Sequence, residues 1–331
     1  MTDIATMVNE RLSRSAAEDR FSGAVLIATD GELLFERAYG WADRERELEN
    51  TTATRFRLGS LNKSFTAAAV LQLEGQGLLE LNAPLATYLP NYPSKPFADA
   101  VTLDQLLTHT AGAGDIFGPE FNSRRLELRE IGDYIALFGG RAPDCEPGSR
   151  FAYSNYGYVV LGAVIEAVSG ESYDDYLRDN IFAPLGMDAT GSAPAMDGVA
   201  IGYMRTPEGL RANTTTLPYR GTPAGGGYST VRDLFAFAEG LTRCRLFDPE
   251  RSTRLTTGRV EMGPGLRYGY GFMEWTNGAA RAFGNAGGAP GMSAVILVTP
   301  AERRTIVVLA NRDPPTAQRV LELISTVLND Q

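Results

Sequence analysis

Four short apolar segments near the C-terminus constrain the fold of this 331-residue chain more than any other feature. Links of only a few residues separate them, such as Asn277-Gly278 and the stretch 300–303. A parallel crossover needs about a dozen residues or more, so successive strands here must be antiparallel neighbours. The predicted strands are residues 268–275, 280–286, 292–299 and 304–311.

Strands are also predicted near the N-terminus. Residues 22–29 and 32–39 are apolar-rich, and Asp30-Gly31 between them is a two-residue hairpin signal. Between the two groups of strands, the apolar periodicity predicts helices joined by loops rich in proline and glycine. The predicted helices, including one at each end of the chain, are residues 3–18, 60–77, 102–109, 127–138, 157–169, 172–180, 230–242 and 315–328.

This order of elements predicts an α+β fold. One antiparallel sheet is built from both ends of the chain and flanked by the terminal helices, and a mostly helical lobe is inserted between. We expect residues 1–58 and 260–331 to form the sheet domain and residues 59–259 to form the helical domain. A cleft between the two would hold Ser60, which lies where sheet gives way to helix.

Composition narrows the functional classes. The net charge of -9 argues against a nucleic-acid partner, which requires a basic face. The chain contains no apolar stretch long enough to span a membrane, and its first residues lack the basic and apolar regions of a signal peptide. We therefore expect no membrane association and a cytoplasmic location, although a chain trimmed of its leader would read the same way.

The metal-binding residue types are scarce. The chain has one histidine and two cysteines, Cys145 and Cys244, which are far apart in sequence. Neither cysteine makes a metal-ligand spacing, so we predict no metal site and no other cofactor. The cysteines are expected to be reduced structural thiols.

Lysine is rare in this chain. Of the 31 lysines and arginines, only two are lysines, Lys63 and Lys95. Lys63 follows Ser60 by three positions at the start of a strong helical pattern, so the two side chains should share a helix face. Burial in a cleft and the partial positive charge of the first helical turn would lower the pKa of Lys63 toward neutrality. The neutral amine could then take the proton of Ser60 and activate it as a nucleophile.

Two further stretches carry groups that complement this pair. In Tyr153-Ser154-Asn155, a phenol beside a lysine ammonium could ionise below its usual pKa and relay a proton, and Asn155 offers amide hydrogen bonds. The glycine-rich stretch 284–291 lies between two predicted strands, where a substrate can approach the backbone closely. The N–H groups of Gly288 and Ser60 would together form an oxyanion hole.

These three elements, in this order, resemble the serine β-lactamase and penicillin-binding-protein superfamily. The similarity extends over about residues 20–312 and is closest to the class C β-lactamase-like branch, which includes the family VIII carboxylesterases. Other segments that resemble this branch are residues 81–90, 106–112, 184–187 and 224–230.

The resemblance implies a role for each motif residue. Ser60 would be the acylated nucleophile, Lys63 its base, and Tyr153 the proton shuttle toward the leaving group. Asn155 would help to hold Lys63 and the substrate. The substrate-binding residues implied in this way are Asn155, Asn285, Gly287 and Gly288.

Asn285 departs from the usual pattern of the branch, which has lysine, histidine or tryptophan at this position. A neutral amide can donate a hydrogen bond but cannot pair with a substrate carboxylate. We therefore expect a carboxylesterase acting on short-chain esters, with weak or no β-lactamase activity. The alternatives are a D-amino-acid peptidase or amidase, a true β-lactamase, and, in a different class, a non-catalytic binding protein on the same fold.

The remaining candidates lie around residue 109. His109 is the only histidine, so a Ser-His-Asp triad would have to use it, and the chain contains no Gly-x-Ser-x-Gly motif. We expect His109 to end a helix and to hydrogen-bond backbone. Asp115 is compatible with a cap, a loop or a cleft position. The loops near 113–125 and 205–222 are expected to line the cleft and to set specificity.

Overall fold

The computed structural model describes residues 4–194 and 198–329. Most of its strands form two groups, one near each end of the chain, and most of its helices lie between these groups. The predicted helix start at residue 3 lies outside the described residues. The strands are β1 (Gly23–Thr29), β2 (Glu32–Tyr39), β3 (Trp41–Asp43), β4 (Leu48–Glu49), β5 (Phe56–Arg57), β6 (Tyr203–Thr206), β7 (Gly209–Ala212), β8 (Tyr228–Ser229), β9 (Val260–Gly263), β10 (Leu266–Tyr268), β11 (Met273–Asn277), β12 (Ala280–Ala289), β13 (Met292–Thr299) and β14 (Arg304–Ala310).

The α-helices lie mainly between the two groups of strands. They are α1 (Ile4–Ala17), α2 (Asn62–Gly75), α3 (Lys95–Ala100), α4 (Leu103–Leu107), α5 (Pro119–Arg124), α6 (Ile131–Phe138), α7 (Asn155–Ser169), α8 (Tyr173–Leu177), α9 (Ala183–Leu185), α10 (Val231–Thr242), α11 (Pro249–Thr256) and α12 (Thr316–Asn329). Short 3₁₀ turns occupy Gly59–Leu61 and Leu85–Thr87, and a π-helical turn occupies Arg178–Phe182.

One sheet joins the two ends of the chain. Its strand order is β2-β1-β14-β13-β12-β11-β10-β9, and each neighbouring pair is antiparallel. In the pair that joins the N-terminal strands to the C-terminal strands, Ile27 of β1 lies opposite Ile306 of β14. The prediction of an α+β fold with an antiparallel sheet built from both termini is confirmed. The exact division into residues 1–58 with 260–331 and residues 59–259 stays a prediction.

The sheet is covered on both faces because its inner strands are apolar on both sides. Along β1, Val25 and Ile27 pack in a cluster with residues of the terminal helices α1 and α12. Ala24 and Leu26 point the other way, into a larger cluster shared with the helical part. This alternation follows from the two-residue period of a strand.

Helix α2 is buried on nearly all sides. Its alanines, Ala67 to Ala69, let neighbouring elements approach closely, and burial extends through its first turn. Buried residues in α2 are Asn62, Lys63, Ser64, Phe65, Thr66, Ala67, Ala68, Ala69, Val70, Leu71 and Leu73. A polar side chain in the first turn of this helix is therefore removed from water.

The predicted strand 268–275 is wrong as a single element. β10 ends at Tyr268 and β11 begins at Met273, with a break between them. Gly271 in the break has a φ of +70°, a conformation that glycine adopts without the strain of a side chain. Its carbonyl accepts hydrogen bonds from Ser64 and Asn285, so the break connects the sheet to α2.

Two predicted helices begin later than expected. The helix predicted at 127–138 begins at Ile131, because Glu130 and Asp133 form a capping box that fixes its first turn. The helix predicted from residue 60 begins at Asn62, and Ser60 lies in the 3₁₀ turn before it.

The end of β12 packs directly against that 3₁₀ turn. A Cβ atom added at Gly287 would lie 1.8 Å from the carbonyl oxygen of Leu58 and 2.8 Å from the backbone nitrogen of Ser60. A Cβ added at Gly59, whose φ is +52°, would lie 2.5 Å from the backbone nitrogen of Gly288. The two backbones therefore meet without an intervening side chain.

Three further features concern residues 4–194 and 198–329. None of the helices there is long and apolar enough to cross a membrane. No group of three or more His, Cys, Asp or Glu side chains there could hold a metal ion. Cys145 and Cys244 are both free and partly buried.

Gly287→Ala should destabilise the fold, because its methyl group must displace the backbone of residues 58–60. Overpacking of this kind costs about 1–3 kcal/mol. The free energy of unfolding, measured by urea denaturation, should fall by that amount relative to Gly263→Ala. Gly263, in β9, is a matched control because a Cβ there meets no atom within 4 Å. Equal stability of the two variants would contradict the close backbone contact.

Candidate active site

Ser60 lies in the 3₁₀ turn between strand β5 and helix α2. It is partly exposed, and it lines a cavity to which the sheet and the helical part both contribute. The contact between Gly59 and Gly288 fixes the turn against β12. The hydroxyl of Ser60 is therefore accessible and rigidly placed, as a nucleophile requires.

Lys63 is buried in the first turn of α2, with 1% of its surface exposed. Its Nζ donates to Asn155 Oδ1 at 2.7 Å and to the carbonyl oxygen of Ala224 at 2.6 Å. Burial lowers the pKa of Lys63 to about 7, and the negative charge of Asp115 acts in the opposite direction. Loss of water, which disfavours the charged form, is thus the main cause of the lowered pKa.

The two acceptors of Lys63 suit a neutral amine. A neutral primary amine has two N–H bonds and one lone pair, whereas an ammonium has three N–H bonds. Asn155 Oδ1 and the Ala224 carbonyl take two N–H bonds, so the lone pair remains available for a proton. The side chain is consequently held in a form that can act as a base near neutral pH.

Tyr153 is the group that contacts the Ser60 hydroxyl. Its phenol donates a hydrogen bond to Ser60 Oγ at 2.8 Å, and its ring lies 4.8 Å from Lys63 Nζ. No direct hydrogen bond joins Ser60 to Lys63 among the contacts of the described residues. Tyr153 is therefore the hydrogen-bond partner of the nucleophile and lies next to the amine.

The expectation that Tyr153 ionises easily is wrong. Burial raises the pKa of Tyr153 to about 12, and the hydrogen bond to Ser60 only partly opposes this. Near neutral pH the side chain is a phenol that can donate its proton. Its suitable chemical role is that of a proton donor, which recovers its proton from the protonated form of a neighbouring base.

His109 holds the segment that carries Tyr153. Its backbone oxygen accepts from the N–H of Ala152 at 2.7 Å, and its Nδ1 accepts from the N–H of Ser154 at 3.1 Å. Its ring lies 4.3 Å from that of Tyr153. The predicted backbone contact of His109 is confirmed, and burial together with Lys63 keeps the pKa of His109 well below its usual value. His109 is thus neutral and supports the segment that carries Tyr153. Among the contacts of the described residues, none joins its imidazole to Ser60.

Asn155 begins helix α7, which is capped by the side chain of Ser154. Besides accepting from Lys63, its amide donates to both carboxylate oxygens of Asp115 at 3.0 Å each. The sequence left the role of Asp115 open, and no motif marked it. Its position beside Asn155 depends on the packing of the loop before α5 against the start of α7, which the sequence does not show.

Asn285 lies behind the site. It is 3% exposed, and its amide donates to Ser64 Oγ at 2.9 Å and to the carbonyl of Gly271 at 2.8 Å. It is not among the residues that line the cavity. In this position the side chain links β12 to α2 and to the break before β11.

The two candidate oxyanion donors lie on facing segments. The contact between β12 and the turn brings Gly288 next to Gly59 and Gly287 next to the backbone nitrogen of Ser60. Gly288 also lines the cavity with Ser60. Two backbone N–H groups placed in this way suit an oxygen that gains negative charge.

The cavity at Ser60 has a volume of about 330 Å³ and an uncharged lining. No Asp, Glu, Lys, Arg or His occurs among the described residues that line it. The apolar ones include Ile116, Phe117, Phe121, Leu217, Pro218 and Met292. A larger cavity of about 510 Å³, which contains Arg312 and Tyr203, includes none of the predicted catalytic residues.

Both loops that the sequence singled out contribute to this lining. Ile116 to Asn122 and Thr216 to Thr222 come from the predicted specificity segments. Sequence reasoning did not identify Tyr134, which lines the cavity, or the Ala224 carbonyl, which accepts from Lys63. A backbone carbonyl carries no residue identity, so only the resemblance of residues 224–230 to the family pointed to that segment.

The fold agrees with the comparisons to known proteins. The profile of the Beta-lactamase family matches residues 8–328. The chain belongs to the Beta-lactamase family, and its class is that of a serine hydrolase with the β-lactamase fold.

Three proteins illustrate the similarity. The Bacillus subtilis (strain 168) penicillin-binding protein PbpX is 30% identical over 92% of this chain and 74% of that protein. Esterase EstB of Burkholderia gladioli is 29% identical over 81% of this chain and 79% of the esterase. The crystal structure of a penicillin-binding protein from Bacillus halodurans superposes with a TM-score of 0.87, at 30% identity, over 95% of this chain and 99% of that one.

The reactivity of Ser60 should follow the protonation of Lys63. Below a pKa of about 7 the amine already holds its proton and cannot accept another, so the rate should rise with pH through about 7 and then level off. The measurement is the rate of fluorophosphonate labelling of Ser60 from about pH 5 to pH 9, read by intact mass.

Lys63→Arg is the matched control, because its guanidinium stays protonated throughout this range. It should remain unlabelled at every pH. A labelling rate that is independent of pH in the unmodified protein would contradict a role for the neutral amine.

Proposed function

We propose that this chain is a carboxylesterase that hydrolyses neutral, short-chain esters through an acyl-enzyme on Ser60. The observation that carries this proposal is the uncharged, largely apolar lining of the cavity at Ser60. An ester with uncharged acyl and alcohol groups can enter such a cavity without leaving a buried charge unpaired. The similarity to an esterase supports the same class of substrate.

Charge distinguishes this proposal from the alternatives. β-Lactams and peptide C-termini carry a carboxylate, which needs a cationic partner when it is taken out of water. Asn285 is neutral and directed toward Ser64 and Gly271, and no cation lies among the described lining residues. Substrates with a carboxylate beside the scissile bond are therefore expected to be poor.

Acylation uses the side chains of Ser60, Lys63 and Tyr153 one after another. Ser60 Oγ forms a bond to the ester carbonyl carbon, and its proton passes to the neutral amine of Lys63. The N–H groups of Ser60 and Gly288 stabilise the negative charge on the carbonyl oxygen. The C–O bond to the alcohol then breaks, Tyr153 gives its proton to the leaving oxygen, and the Lys63 ammonium returns a proton to Tyr153.

Deacylation repeats these transfers with water. A water oxygen attacks the acyl carbon and gives a proton to the neutral amine of Lys63. The bond between the acyl carbon and Ser60 Oγ breaks, and Oγ recovers a proton from Tyr153 across their 2.8 Å contact. The Lys63 ammonium then returns a proton to Tyr153, which restores the neutral amine and the phenol. The products are the free acid and the regenerated serine.

Ser60→Ala should abolish hydrolysis of 4-nitrophenyl acetate and butyrate, because no acyl-enzyme can form. Lys63→Ala and Tyr153→Phe should each lower kcat/KM about a hundredfold or more, as loss of an acid–base partner does. The release of nitrophenol, followed by absorbance, measures all three. Residual turnover by Ser60→Ala equal to that of the parent would exclude Ser60 as the nucleophile.

Fluorophosphonate labelling separates this enzyme from a non-catalytic binding protein. A single covalent adduct, absent from Ser60→Ala, is expected. No adduct, under conditions that label a control esterase, would favour the binding role.

The uncharged lining predicts discrimination by charge. The kcat/KM for 4-nitrophenyl butyrate should exceed that for the mono-4-nitrophenyl ester of succinate, an acyl group of similar size that carries a carboxylate. Hydrolysis of a chromogenic cephalosporin should also be weak. Ala289→Lys, which adds a cation to the lining beside Gly288, should raise kcat/KM for the succinate ester about tenfold, the gain expected from one charge-assisted hydrogen bond.

Ala289→Gln is the matched control, since it adds a side chain of similar reach without the charge. It should leave the succinate ester a poor substrate. Equal turnover of the neutral and anionic esters by the parent protein would contradict the proposed substrate class. Preferred hydrolysis of a D-amino-acid amide or of the cephalosporin would replace it with one of the alternatives.

A further inference from the structure

The carboxylate of Asp115 is held in a defined position beside Asn155. Its Oδ1 accepts from the backbone N–H of Ile116 at 2.6 Å and of Phe117 at 3.2 Å. Both of its oxygens also accept from Nδ2 of Asn155 at 3.0 Å. The loop that supplies Ile116 and Phe117 to the cavity thus fixes this carboxylate.

A carboxylate determines which end of a neighbouring amide faces it. An ionised carboxylate only accepts hydrogen bonds, so Asn155 must present its NH₂ group to Asp115. The opposite end, Oδ1, is then directed at Lys63, whose Nζ donates to it at 2.7 Å. If the amide were reversed, its NH₂ group would face Lys63 and donate a hydrogen bond to the lone pair of the neutral amine. That lone pair would then be less available to accept a proton.

Asp115 is also the acidic side chain whose charge acts on Lys63. Burial lowers the pKa of Lys63 to about 7, and the negative charge of Asp115 raises it against that effect. The other titratable groups that face the amine carry no charge near neutral pH. They are His109, whose pKa is well below its usual value, and the phenols Tyr153 and Tyr158, whose pKa values are raised by burial.

We propose that Asp115 is a positioning residue of this active site, which fixes the amide of Asn155 so that its oxygen, and not its NH₂ group, faces the amine of Lys63. The proposal rests on the proposed function only through Ser60 as nucleophile and Lys63 as base. It holds for any acyl group that the site accepts. Asp115 itself does not line the described cavity and needs no contact with substrate.

The test is the pH dependence of fluorophosphonate labelling of Ser60 in Asp115→Asn. Loss of the negative charge should lower the pKa of Lys63, so the rise in labelling rate should move about one pH unit toward acid. Loss of the fixed amide should also lower the plateau rate about tenfold, the cost of one charge-assisted hydrogen bond. Asp115→Glu should restore part of the rate.

Two comparisons separate positioning from a general loss of structure. Asp144→Asn removes the same charge from an exposed residue close to Gly114, and should leave both the midpoint and the plateau as in the parent. The double variant Asp115→Asn/Asn155→Ala should reach the same plateau as Asn155→Ala alone, because Asp115 acts through Asn155. Thermal unfolding of each variant shows whether it is folded.

The outcomes distinguish this proposal from the proposed function. An unchanged midpoint and plateau in Asp115→Asn, with Ser60 still labelled, would overturn only the role of Asp115. Additive losses in the double variant would do the same. Failure of Ser60 to label in the parent protein would overturn the proposed function, and the role of Asp115 with it. The expected shift and lower plateau in Asp115→Asn, in a protein that labels but does not turn over esters, would support the role of Asp115 and show the substrate class to be wrong.

Discussion

The burial of one amine is the constraint on which the rest of the site depends. Water stabilises an ammonium strongly, so a lysine that is 1% exposed gives up its proton far more readily than one at the surface. Helix α2 achieves this because it is packed on nearly all sides. Neighbouring polar groups then use the two N–H bonds of the neutral amine and keep its lone pair in place. The packing of the hydrophobic core around α2 therefore helps to set the pKa of Lys63.

Much of this arrangement follows from the sequence. Short links between apolar segments determined the antiparallel sheet, and the rarity of lysine directed attention to Lys63. Spacing predicted that Ser60 and Lys63 lie close together, but it did not predict that Tyr153 is the hydrogen-bond partner of Ser60. The difference arises because Ser60 belongs to a 3₁₀ turn and not to the helix that follows. Local periodicity does not resolve such a one-turn change.

The parts that could not be predicted are contacts between distant segments. Asn285 was expected at the substrate, yet its amide bonds to Ser64 and Gly271, whose own position depends on a break inside a predicted strand. The pKa of Tyr153 was expected to fall beside Lys63, whereas burial raises it to about 12. Desolvation depends on every atom packed around a group, so no short motif reports it.

The acceptors that surround Lys63 come from positions 155 and 224, far from it in the chain. Until these segments assemble, Lys63 is an ordinary solvated lysine with a pKa near 10.4, and Ser60 is an ordinary alcohol. A nascent or partly unfolded chain therefore has no reactive serine to be trapped by passing electrophiles. In the proposed mechanism, the serine would gain its reactivity only once the tertiary structure is complete.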